Sequence, residues 1–199
     1  TIRSAFARGR VEKRSGWNLF SGAFLSYFNL GDTISSADAL GVSGVWRAVS
    51  ILGETLASLP LHIFEELQNG DKRKAKTHPL YYLLHTQPHQ LYSKFNFLES
   101  LVMNFALNGN AYALIIRDER MQPEGLLLLE NHEVTTYADK FKNQLYYKVA
   151  NIDGIVPAYD MIHIAGLSAN GFIGINKLYA HGKTLNGSKV LRDSAVNFF

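Results

Sequence analysis

The chain has 199 residues, 47% of them hydrophobic, with no cysteine and a formal charge of +3. That is enough to bury a core as one domain or two small ones, which excludes disorder of the whole. The absence of cysteine excludes a disulfide framework, thiol catalysis and thiolate metal sites, and it suits assembly in a reducing cytoplasm.

The charge is unevenly placed. Residues 1–31 hold five Lys or Arg against one acid, and residues 71–76 (DKRKAK) hold four against one. With these segments set aside, at +4 and +3, the remainder carries −4, so the basic balance belongs to an arm and a loop. With the body mildly acidic, the whole-chain balance does not license a DNA-binding face, and 71–76 reads as a solvated run. Residues 1–30 begin basic (Arg3, Arg8, Arg10, Lys13, Arg14) and turn apolar (Leu19, Phe20, Phe24, Leu25, Phe28). Ser, Gly and Asn interrupt that stretch, so it is neither a signal peptide nor a bilayer span. Residues 1–35 are therefore read as a flexible basic arm.

Val42, Val45, Val49, Leu52, Leu56 and Leu59 then recur in steps of three and four, predicting a helix capped by Ser43, ended by Pro60 and buried along that stripe. Residues 61–67 (LHIFEEL) read as a strand, Asn69-Gly70 as a tight turn and 72–76 as the return arm of a hairpin. A short helix is expected from Pro79 towards Pro88 and a longer one from Ser93 to Asn108, stopped by Gly109. From there to about residue 166 the period becomes that of strands, in NAYALIIRD, GLLLLE, HEVTTYAD, QLYYKVA and YDMIHIAGL, predicting one antiparallel sheet beside helices. Residues 168–176 form a glycine-bearing loop, and Asn176 to Phe199 reads as a final helix. Because that helix ends on two phenylalanines, a longer polypeptide is expected.

Catalytic signatures are missing. No GxSxG, GxGxxG or Walker-type glycine loop occurs. His85 and His89 stand four apart, but Pro88 interrupts the helix they would need and no third ligand is near, so they read as a loop pair. His163 reads as a hydrogen-bonded sheet histidine, Asn186-Gly187-Ser188 as a chance glycosylation match, and Tyr81, Tyr82, Tyr92, Phe95 and Phe97 as core. A hydrolase completed by Asp160 and Glu130 is the catalytic alternative.

Four strings, in this order, carry a resemblance: VWRAVSILGETLASLPLHIF (45–64), HPLYYLLHTQPH (78–89), FLESLVMNFALNGNAYALIIRD (97–118) and DMIHIAGLSANGFIGINKL (160–178). Together they resemble the portal proteins of siphophages and related prophages, departing at His89, where the family usually has asparagine. The matched residues Pro60, Gly109, Asn110, Ala111, Tyr112, His163, Gly171 and Gly174 have structural roles: Gly109 for a left-handed helix stop, Asn110 to satisfy exposed backbone groups, Ala111 for close packing.

The resemblance implies an α+β fold, with helices on a mainly antiparallel sheet over residues 36–170 as a wing domain and residues 171–199 as the start of a stem helix. It implies a non-enzymatic ring, usually of twelve subunits, at the capsid vertex of a virion assembled in the bacterial cytoplasm. Double-stranded DNA would pass through it, and terminase, major capsid protein or scaffold, and head-tail connector proteins would dock on it. No cofactor, metal or membrane is implied. Lys183, Lys189 and Arg192 are the candidates for weak phosphate contacts, or for pairing with acids of a neighbouring subunit. The competing reading is another capsid-associated adaptor whose basic arm binds nucleic acid or scaffold.

Overall fold

The computed structural model describes residues 34–139 and 144–197. The expected arm, but for its last two positions, lies outside the described residues, as do the turn from Lys140 to Asn143 and the pair Phe198-Phe199.

Helix α1 (Ser36–Leu40) is opened by Ser35, whose Oγ accepts from Asp38 N–H at 3.0 Å. Helix α2 (Ser43–Ser58) follows, and it corrects the patterning in two respects. Its N-cap is Val42, with no side-chain bond, in place of Ser43. Its buried face is Val49, Gly53 and Ala57, whereas Leu52, Leu56 and Leu59 are 51%, 45% and 53% exposed. Spacing of four residues puts small side chains in one line, a quarter turn from the leucines. That line admits a close neighbour: a Cβ on Gly53 would stand 3.3 Å from Glu99 Cγ. Pro60 ends the helix as expected, holding Leu59 extended at φ −68°, ψ 140°.

The hairpin is shorter than its sequence promises: β1 (Phe64–Glu66) pairs with β2 (Lys72–Lys74), all six residues being exposed. Helix α3 (Pro79–His85) is capped by His78 and ends before Pro88. Helix α4 (Lys94–Asn108) is capped by Ser93 and buries Phe97, Leu101 and Leu107.

Where one sheet was expected there are two, both antiparallel. The first is ordered β4-β3-β8, from β3 (Asn110–Arg117), β4 (Pro123–Leu129) and β8 (Met161–Ala165); the second is β5-β6-β7, from β5 (Val134–Asp139), β6 (Gln144–Val149) and β7 (Val156–Pro157). Alternation along β3 explains the layering. Ala111 and Ala113 share with Leu126 of β4 the face that meets Leu83, Phe97 and Leu101 of the helices, while Tyr112 and Leu114 face Tyr147, Val149 and Val156 of the second sheet. A strand covered on both sides reads as a continuous apolar run, which is why LLLL in β4 shows no alternation.

A single turn, α5 (Lys177–Ala180), and a longer helix, α6 (Gly182–Asn197), replace the single one expected from Asn176, with the break at His181. Leu178 and Leu185 join Ile34, Ala39, Val49 and Leu107 in a third apolar cluster, so the chain's exit is built into its body.

Candidate functional site: the junction of sheet, loop and last helix

Helix α4 must stop abruptly, because β3 begins one residue after it. Gly109 makes the stop at φ 74°, in the left-handed region that glycine enters without steric cost, and its N–H bonds back to Phe105 O. Its carbonyl accepts from Gly166 N–H at 2.8 Å, and the loop after β8 crosses directly against it. A Cβ on Gly109 would fall 2.0 Å from Ile175 O, and one on Gly174 would fall 2.0 Å from Gly109 O. Two backbones therefore touch where any side chain would separate them.

Asn110 ties this contact. Its Oδ1 accepts from Gly174 N–H at 2.7 Å and its Nδ2 donates to Gly174 O at 2.8 Å, so one buried amide takes the place of a strand partner. Its own carbonyl accepts from Asn131 Nδ2 at 2.9 Å. His163 Nε2 lies 3.1 Å from the same Oδ1, and His163 Nδ1 lies 3.2 Å from Tyr147 Oη. These partners assign a neutral imidazole with its proton on Nε2, accepting at Nδ1 from the tyrosine hydroxyl. The ring stacks on Tyr112, its partner in the β3-β8 register, with centroids 4.4 Å apart.

Burial lowers the His163 pKa to about 4, and burial followed by the neighbouring Tyr112 pushes Tyr147 up to about 12. The sign for His163 follows from the depressed folded value. Above the unfolded pKa of 6.5 both states are neutral and the junction keeps its full stability. As pH falls from there towards 4 the unfolded chain takes the proton first, and stability is lost. The expected loss is about 1–2 kcal/mol once partial solvent exposure is allowed for. Urea unfolding at about pH 7.5 and about pH 5 should show it, and the difference should shrink in His163→Gln.

The loop is held by its own side chains. Ser168 bridges to Gly174, Gly171 (φ 86°) bonds through its N–H to Ser168 Oγ at 3.0 Å, and Asn170 Oδ1 accepts from Phe172 and Ile173 N–H. Asn176 then caps α5, and Lys177 Nζ donates to Phe105 O at 3.2 Å while lying 4.4 Å over the Phe105 ring. This places a cation on the last carbonyls of α4. Lys189 Nζ meets Asp38 Oδ1 at 2.7 Å, joining α6 to α1. The arrangement fixes where the last helix leaves the sheet.

A family model described as "Phage portal protein" matches residues 43–199. The chain belongs to the phage portal protein family. It is 28% identical to the portal protein of Enterobacteria phage HK97 over 200 aligned residues, covering 100% of this chain and 47% of that protein. With the probable portal protein of Streptomyces phage phiC31 it shares 26% over 160 residues, 74% of this chain and 34% of that one. A crystal structure of an HK97-family phage portal protein from Corynebacterium diphtheriae superposes with a TM-score of 0.57 at 18% identity, covering 83% of this chain and 50% of that one. The neck of an empty gene transfer agent particle, computed with C6 symmetry, gives 0.62 at 18% identity, over 77% and 42% of the two chains. This portal-family chain spans about half or less of the length of the relatives it matches. The helices and antiparallel sheets expected from the resemblance are the fold that these neighbours share.

The motif residues gather at the junction: Gly109, Asn110, Ala111, Tyr112, His163 and Gly174 are in or beside it, Gly171 turns its loop, and Pro60 stands apart at the end of α2. Of the basic residues on α6, Lys183 is exposed, Lys189 is paired with Asp38, and the Arg192 side chain lies outside the described residues. Asp160 is held by Arg117 Nε at 2.7 Å, and Glu130 caps the turn Asn131–Glu133. His85 stacks on His62 and His89 on Tyr92. Tyr82 and Phe95, expected in the core, are exposed because they fall on the outer faces of α3 and α4. Sequence reasoning missed the Arg117 clamp, whose guanidinium also reaches Met121 O and Tyr159 O, and it missed Tyr147 and Lys177. Strand ends rich in Arg and Asp were the only hint. Among the described residues no group of three His, Cys, Asp or Glu is placed for a metal ion, and no helix is long and apolar enough to cross a membrane.

Proposed function

We propose that the full-length protein is a non-enzymatic structural subunit of the portal ring at the vertex of a tailed-phage capsid. Double-stranded DNA passes through that ring during packaging and ejection, and terminase, capsid or scaffold, and head-tail connector proteins dock on it. The observation that carries this reading is the family match across residues 43–199. A related neck structure computed with C12 symmetry supports a closed ring of twelve, in which each subunit presents different surfaces to its two neighbours.

Within that ring, residues 36–170 serve as the wing and the chain from residue 171 as the first part of the stem. Lys183 and Arg192 are the positions for weak phosphate contacts. Few such contacts suit a conduit, because each phosphate that a subunit neutralises adds salt-sensitive affinity that would brake sliding DNA. Electron microscopy and light scattering of the full-length protein should find closed rings of about twelve copies. A stable monomer at high concentration would overturn the proposal.

A further inference from the structure

An open apolar face and a cluster of cations meet along residues 59–64, away from the junction. The apolar part is the flank of α2 that faces outwards, with Leu52, Leu56 and Leu59, continued past Pro60 by Leu61 (39% exposed) and Phe64 (52% exposed). The cations are threaded through the same segment. Lys94 Nζ donates to Leu59 O at 2.7 Å, and His85 Nδ1 lies 3.3 Å from Leu61 O. Lys74 Nζ is 3.2 Å from His62 Nε2, and the His62 ring stacks on His85 at 4.8 Å while meeting Phe64 edge-on at 6.3 Å. Tyr81 Oη, 3.4 Å from His62 Nδ1, closes the cluster against α3.

The hairpin sets four cations, Lys72, Arg73, Lys74 and Lys76, against three acids, Glu65, Glu66 and Asp71, and Lys94 adds a fifth cation beside it. The hairpin acid Glu65 is matched by Arg73 at 2.6 Å, whereas Lys74 and Lys94 rest on an imidazole and a carbonyl, which leave their charge uncancelled. Partial burial, then Lys74, His85, Lys94 and Lys76, lower the pKa of His62, as expected of an imidazole ringed by positive charge.

We propose that this surface docks an acidic amphipathic segment of another protein, whose carboxylates meet Lys74, Lys76 and Lys94 while its apolar side chains cover Leu56, Leu59, Leu61 and Phe64. Charge complementarity names the occupant. A DNA backbone would satisfy the lysines and leave four large apolar side chains wet, whereas an amphipathic segment removes both liabilities together. Ring formation is not needed for this reading.

The test uses the full chain and a fluorescein-labelled peptide of about four helical turns, with Leu at positions i, i+3, i+4 and i+7 and Glu between them. Its controls are the same peptide with Gln for every Glu, and a short random-sequence DNA duplex. Fluorescence anisotropy should show the acidic peptide binding at least about tenfold more tightly than the Gln peptide, with a similar loss in Lys74→Gln/Lys76→Gln/Lys94→Gln and in Leu61→Ser/Phe64→Ser. Because Lys94 also holds the Leu59 carbonyl, Lys76→Glu, at an exposed side chain, is the variant that should weaken binding without disturbing the melting curve. Three results would overturn the proposal: equal affinity for parent and variants; a lysine-dependent affinity for the duplex with none for the peptide; or loss of self-association in light scattering with peptide binding unchanged. The last would assign the face to a second copy of the chain.

Discussion

Gly174→Ala is expected to destabilise this protein severely. The new Cβ would lie 2.0 Å from Gly109 O and 2.8 Å from Gly166 N, and all the nearest atoms are backbone, which cannot swing aside as a side-chain end can. Relief requires the loop to lift from the end of α4, and lifting it breaks both bonds from Asn110 to Gly174 and the Gly166 to Gly109 bond. The cost should be about 3–5 kcal/mol, a melting temperature lower by roughly 6–20 °C in a chain of this size. Gly187→Ala is the control. Nothing lies within 4 Å of a Cβ there, and the residue sits inside α6, so the variant should be neutral or more stable by up to about 1 kcal/mol. Thermal unfolding followed by circular dichroism compares the two, and equal melting temperatures would mean that the two backbones do not touch.

Asn110→Ala should come next in size. It removes no more than a small side chain, but it strands two buried groups, Gly174 N–H and Gly174 O, and the half-buried His163 Nε2–H. Each unsatisfied group costs on the order of 1–3 kcal/mol, partly recovered if water enters, so a net loss of about 3 kcal/mol is expected. Asn110→Asp separates hydrogen bonding from volume. It keeps the acceptor for Gly174 N–H and His163 but sets a second acceptor oxygen against Gly174 O, so it should be less stable than the parent despite its equal volume, and it should also raise the His163 pKa by placing a carboxylate beside the ring. Histidine proton resonances followed through a pH titration would report that rise. Its absence would show that His163 and Asn110 do not touch.

The two variants also separate the junction's mechanical role from plain stability. Leu178, Leu185 and the Lys189 pair with Asp38 hold α5 and α6 to the body independently of the loop. Hydrogen exchange in Gly174→Ala should therefore rise first in residues 166–176 and only later in α6.

Much of the order of elements is legible in the sequence. Gly109 after a long apolar-periodic helix marks the stop that the φ of 74° realises, and Ser93 marks the start of the same helix. Asn69-Gly70 locates the hairpin, although β1 and β2 keep only three residues each because nothing covers either face. The α2 stripe is the instructive failure. The leucines have the better helical period, but burial followed the smaller residues Val49, Gly53 and Ala57, because only they let α4 approach. Periodicity tells which residues share a face, and the neighbour decides which face is covered.

The sequence alone determined the kinds and order of the elements, the location of the excess positive charge, the want of a catalytic signature and, through its ordered strings, the family. All of these are written in residues close together along the chain. What only the tertiary structure decided was the splitting of the strands into two stacked sheets, the open flank of α2, and the meeting of Asn110 with Gly174 across 64 residues of chain. A contact of that separation leaves no local period to read, since a glycine needed because another backbone touches it looks in sequence like a glycine needed only to turn.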